Sequence, residues 1–247
     1  MRYLAKIKYL GTDFHGFQVQ PDQRTVQGTL CEALRAALGV EVRVTGCSRT
    51  DSGVHANEFC ILIDAPGATV PPTKLPVALC RFLPPDLSLF YAESASDDFH
   101  PRYDVVSKEY LYRIKNSKIN DPFDFGRVWI LPRKITDDGF EKIKKAAEYF
   151  VGKKDFSAFM SEGSDVVDTV RNVFYLDVEK NGEYIDFRIC ADGFLYNMVR
   201  IIVGTLLAVG FDNIRVEDIE KIIASGNRSL AGQTAPPEGL YLNKVNY

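Results

Sequence analysis

The chain of 247 residues is long enough to bury one large core or two smaller ones. Hydrophobic residues make up 46%, charged residues 26%, and the formal net charge is −3, which excludes a disordered or collagen-like chain. No apolar run reaches the roughly 18–20 residues that span a bilayer, and the first residues lack the parts of a secretory signal, so a cytoplasmic protein with no membrane partner is expected.

In chain order, the alternation from Tyr3 to Leu10 predicts a strand that ends in a turn at Gly11. Thr25 is a candidate N-cap for a helix whose stripe runs through Val26, Leu30, Ala33, Leu34, Ala37 and Leu38 and stops at Gly39. Strands are expected at Glu41–Cys47 and Phe59–Ile63, joined by a polar, glycine-containing loop. A short helix around Leu75–Phe82 and a strand near Leu87–Ala92 follow. The theme then repeats: a strand at Glu109–Lys115, a helix capped by Thr136, strands at Val170–Glu179 and Tyr184–Ala191, helices at Asn197–Val209 and Val216–Ala224, and a last strand at Leu240–Val245. The expected fold class is α+β. Two similar halves, residues 1–104 and 105–247, carry mostly antiparallel sheets flanked by helices, with an active-site cleft between them.

Five cysteines and three histidines are scattered without C-x-x-C or H-E-x-x-H spacing, so neither disulfides nor a metal site is expected. Charge is uneven. Residues 102–154 hold 13 Lys and Arg against 8 Asp and Glu. That surplus suits either a local polyanion-binding face or a solvated helix surface.

The most informative segment is Gly46-Cys-Ser-Arg-Thr-Asp-Ser-Gly-Val-His-Ala56. It sets Arg49 and Asp51 in a tight loop between two strands, with Gly53 free to take a positive φ. Loops braced by strands are where catalytic groups tend to sit. A hairpin turn with a self-satisfied aspartate would read the same way.

SRTDSGVHA resembles the signature G-R-T-D-A-G-V-H-A of the tRNA pseudouridine synthase A family. Other segments are similar to that family's motifs, in the same order: Tyr9-Leu-Gly-Thr-Asp-Phe-His-Gly-Phe-Gln18, Thr25-Val-Gln-Gly-Thr-Leu30, Phe99-His-Pro-Arg-Tyr103, Ser107-Lys-Glu-Tyr110, Asp155-Phe-Ser-Ala-Phe159, Phe194 to Gly204, and Glu238-Gly-Leu-Tyr-Leu242. The departures are small. Ser48 and Ser52 stand for the usual Gly and Ala, Phe17 for a common Trp, Leu10 for Asp, and Pro101 for Ala.

The resemblance implies an isomerase that converts uridine to pseudouridine in the anticodon stem-loop of tRNA, working as a homodimer. It implies that Asp51 is the catalytic aspartate and that Arg200 is the arginine beside it. Tyr110 would be the tyrosine that packs on the target base, Arg49 an RNA-holding arginine of the signature, and Leu240 an apolar contact under the site. An ionised aspartate can serve as nucleophile or as base at the sugar, and the sequence leaves both open. The reaction gains and loses no atoms, so no cofactor and no metal are expected. Arg102, Lys108, Arg113, Lys115 and Lys118 lie close to Tyr110 in sequence, where phosphate contacts would be useful. Two other readings stand beside this one: a non-catalytic RNA-binding module, and a nucleoside glycosidase, which would call for a second carboxyl group.

Overall fold

A computed structural model describes residues 1–163 and 166–247. The chain divides into two compact units: Met1–Val106 with Tyr241–Tyr247, and Ser107–Leu240.

The first unit begins with β1 (Arg2–Tyr9), whose alternation buries Tyr3, Ala5, Ile7 and Tyr9 on one face. Helix α1 (Val26–Leu38) starts where the Thr25 hydroxyl accepts the Gly28 N–H. It stops at Gly39, whose φ of 68° no helix can continue. Its buried stripe is Val26, Leu30, Ala33 and Leu34. Strands β2 (Arg43–Gly46) and β3 (His55–Asp64) pair antiparallel, Arg43 opposite Asp64 and Gly46 opposite Ile61. After the short α2 (Leu75–Leu79), β4 (Leu87–Ser94) pairs antiparallel with β1, which in turn pairs antiparallel with β3.

Two strand limits differ from those read in the sequence. β3 ends at Asp64, opposite Arg43, so Glu41 and Val42 have no partner to extend β2. Conversely β3 reaches back to His55, because β1 offers Tyr9 opposite Ala56 and the last strand offers Tyr241 opposite His55.

The second unit opens with β5 (Ser107–Lys115). Next come β6 (Trp129–Ile130), which pairs parallel with β5, and α3 (Asp137–Glu148), capped by the Thr136 hydroxyl on Gly139 N–H. Strands β7 (Gly152–Asp155), β8 (Val170–Asn181) and β9 (Tyr184–Ala191) build an antiparallel sheet in the order β5–β9–β8–β7. Helices α4 (Met198–Gly210) and α5 (Asp218–Ser225) complete the unit. α4 is buried almost all round, which is why its sequence is nearly uniformly apolar. Neither β6 nor β7 was expected. β7 carries Lys153 and Lys154 and exists by pairing with β8 at the sheet's edge, where lysines guard against further pairing.

The last strand, β10 (Leu240–Asn246), corrects the expected division. From Tyr241 onward it belongs to the first unit, where Tyr241 and Leu242 pair parallel with His55 and Ala56 of β3. No helix among the described residues is long and apolar enough to cross a membrane.

Candidate active site

The Asp51 loop joins β2 to β3 and is bolted to the first unit from below. Thr50, just ahead of the aspartate, is buried, and its hydroxyl meets that of Tyr9 at 2.7 Å. The backbone is held as well. Phe17 N–H donates to Thr50 O at 3.1 Å, Gly53 N–H to Phe14 O at 3.3 Å, and Val54 N–H to Asp51 O at 3.2 Å. Asp51 itself is half-buried, while Arg49 and Ser52 are exposed. The Ser52 hydroxyl, where the family has Ala, donates to Phe14 O at 3.3 Å.

Geometry explains the spacing of the 9–18 segment. A side chain at Gly11 would overlap the Val54 carbonyl. Gly16 sits at φ +79°, and a Cβ there would lie 2.7 Å from Thr50 O. The two glycines let this segment press against the backbone of the aspartate loop. Phe14 and Phe17 fill the space between, with Phe17 stacked on Phe59 at 4.4 Å.

His55, which sequence reasoning passed over, closes the loop's far end. It is fully buried, accepts the Gly11 N–H through Nδ1 at 2.8 Å, and stacks on Tyr241 at 4.5 Å. Its signal was present in the sequence, as the histidine of the signature itself.

In the second unit Tyr110 and Tyr112 share one face of β5, opposite Ile189 and Phe187 of β9. Tyr110 is buried, its ring edge-on to Phe194 at 4.9 Å. Tyr112 is fully buried and donates to Pro236 O at 2.6 Å. Burial raises its pKa, the Glu238 charge adds to that, and Arg200 opposes it. Leu240 is buried as well.

Arg200 is half-buried in the first turn of α4. Nε donates to Ala235 O at 2.6 Å and a terminal nitrogen donates to Asn197 Oδ1 at 2.7 Å. The Asn197 amide in turn donates to Ser161 Oγ at 3.0 Å. Asn197 adopts φ 61°, rare for a residue with a side chain. Gly204, one turn further along, lets the 233–235 strand of chain lie on α4, since any side chain there would strike the Gln233 carbonyl. A cation in the first turn of a helix opposes the macrodipole. Arg200 is held there nonetheless, by the Ala235 carbonyl and the Asn197 side-chain oxygen. Of the sequence-derived site residues, Asp51 and Arg49 lie together in the first unit, and Tyr110, Arg200 and Leu240 lie in the second.

Four of the thirteen cations in the basic stretch stand in ion pairs among the described residues. Arg113 meets Asp186 at 2.7 Å, Lys115 meets Asp124 at 2.8 Å, Lys142 meets Asp138 and Asp212, and Lys144 faces Glu141. On α3 this is the solvated, self-paired helix face. No group of three or more His, Cys, Asp or Glu able to hold a metal ion occurs among the described residues.

Known proteins resemble the chain over its whole length. A protein of Thermoanaerobacter sp. (strain X514) named tRNA pseudouridine synthase A is 43% identical over 241 residues, covering 98% of this chain and 97% of its own. Proteins of the same name from Bacillus licheniformis and Acetivibrio thermocellus are 43% and 42% identical, covering 100% and 98% of this chain and 99% and 97% of their own. A family model described as tRNA pseudouridine synthase matches residues 5–104 and 146–247. With the Asp51 loop, its glycine-backed brace and the α+β units around them, the chain belongs to the tRNA pseudouridine synthase family.

Proposed function

We propose that this protein isomerises uridine to pseudouridine in the anticodon stem-loop of tRNA, with Asp51 as the catalytic carboxylate. The observation that carries the proposal is the half-buried Asp51 on a loop clamped at Thr50, Gly53 and Val54, inside the family's signature. Such a loop holds a carboxylate at fixed geometry, which catalysis at a sugar carbon needs.

In this reading the N1–C1′ bond of uridine breaks, the base turns, and C5 bonds to C1′. The proton leaves C5, and N1 gains one. Asp51 acts at the sugar, and Arg200 supplies the cation that favours the ionised carboxylate. Tyr110 packs on the everted base, offsetting part of its unstacking. Arg49 contacts the RNA, and Leu240 gives the base an apolar neighbour. The working form is a cytoplasmic homodimer, and the two subunits together hold one tRNA.

The test is tRNA carrying tritium at uridine C5. Wild-type protein releases the label to water as the C–C bond forms. Asp51→Asn lowers release by at least about a hundredfold, the scale of a lost acid–base or nucleophilic group, while still retaining the RNA on a filter. Absence of release from wild type, with RNA retained, makes the protein a binding module. Liberation of free uracil makes it a glycosidase.

A further inference from the structure

Next to the aspartate loop in the first unit, β2 and the 100–103 turn frame a groove of about 460 Å³. Arg43, Arg49 and Arg102 line it, and no acidic residue does. Asp51 stands two residues from Arg49, and three other nearby acids are engaged, of which Glu41, beside Val42, meets Arg35 at 3.1 Å. Asp64, opposite Arg43, is held by Arg2 at 2.8 Å. Asp104 accepts the His100 backbone N–H at 2.8 Å.

The groove also displays an aromatic ring. Tyr103 is 75% exposed, yet its ring is stacked on His100, centroids 4.3 Å apart at 30°. The stack is fixed from the backbone, because His100 Nδ1 accepts the N–H groups of both Arg102 and Tyr103, at 3.1 and 3.3 Å. The Arg102 guanidinium also lies over this ring, 5.9 Å from its centroid, and a ring held by His100 that still remains this exposed is a ready platform for a base with a cation beside it. Phe17, packed on Phe59, closes part of the floor.

Guanidinium groups for phosphates, with a presented ring for a base, are what unpaired nucleic acid requires. We propose that this groove holds an unpaired nucleotide of the RNA substrate other than the target uridine, its base on Tyr103 and its phosphate between Arg43 and Arg102. The proposal rests on the RNA-modifying reading above. Arg49 both lines the groove and stands two residues from Asp51, at most about 7 Å along the backbone, so a strand engaged at the loop continues into the groove.

The experiment compares wild type with Tyr103→Ala, Tyr103→Phe and Arg43→Ala, all at exposed positions. Tritium release gives KM and kcat, and filter binding of the same tRNA between 50 and 300 mM salt, a range of about sixfold chosen to expose counterion release, gives affinity. Tyr103→Ala is expected to raise KM and Kd about tenfold, the loss of one stacked base, leaving kcat within about twofold. Tyr103→Phe, which keeps the ring, restores both. Arg43→Ala lowers the slope of log affinity against log salt by about 0.7, one single-strand phosphate contact. Kd and slope equal to wild type in Tyr103→Ala and Arg43→Ala overturn the proposal. Filter binding reads the groove even if wild type releases no tritium, so failure of the groove and failure of the isomerase reading are distinguishable.

Discussion

The hydroxyls of Tyr9 and Thr50 lie 2.7 Å apart in the interior of the first unit, one residue before Asp51. Strand β1 thereby reaches up to the Asp51 loop through a buried polar contact, and the loop's backbone inherits the rigidity of the sheet.

Removing either hydroxyl leaves the other buried without that partner. Tyr9→Phe and Thr50→Val are each expected to cost about 1–2 kcal/mol in urea unfolding. The double variant costs less than their sum, because no orphan then remains. Isomerase activity should fall in both single variants through kcat, as the Asp51 loop loosens, and tritium release measures it.

Asn197 offers a separation of strain from positioning. Asn197→Gly relieves the left-handed backbone and deletes the bond to Arg200, so stability changes little while kcat drops about tenfold. Asn197→Ala deletes the same bond and keeps the unfavourable φ, adding a cost of about 1 kcal/mol. Equal kcat in the two variants, with unequal unfolding midpoints, is the expected pattern. A wild-type kcat in Asn197→Gly would remove Asn197 from the positioning of Arg200.

Asp124 ties the loop after β5 to Lys115 and to the Tyr184 hydroxyl, at 2.8 and 2.9 Å. Burial pushes its carboxyl pKa up, but the bonds from Lys115 and Tyr184 outweigh that and hold it below the usual carboxylate value. A carboxylate depressed in the folded state stabilises the fold above its unfolded pKa of about 4. That stability is lost as pH falls through the lower folded value. The thermal midpoint of Asp124→Asn should therefore lie several degrees under wild type at pH 7, with the gap closing below about pH 4. A gap independent of pH would mean that the amide disturbs packing instead.

Much of this was written locally. Thr25 and Thr136 cap the helices they precede, and Gly39 ends α1, because caps are satisfied by residues one turn away. β7 was invisible, since Gly-Lys-Lys-Asp has no strand propensity and its pairing partner comes 15 or more residues later. The aspartate loop was legible as a motif. Its brace was not, because a sequence does not say that Gly11 and Gly16 face the backbone of residues 50–54. Asn197 read as an ordinary helix start, and only its φ and its two amide bonds give it a task. Arg102 was read with the cations near Tyr110, but it lines a groove of the first unit.

The return of β10 sets an order of events during synthesis. Tyr241, which stacks on His55 and so backs the loop's far end, leaves the ribosome only after the whole of Ser107–Leu240 has been made. A nascent chain that already carries Asp51 thus lacks the strand that completes the first unit. Until Tyr241 and Leu242 arrive, His55 and Ala56 lack their parallel partners in β10 and His55 lacks the ring stacked on it.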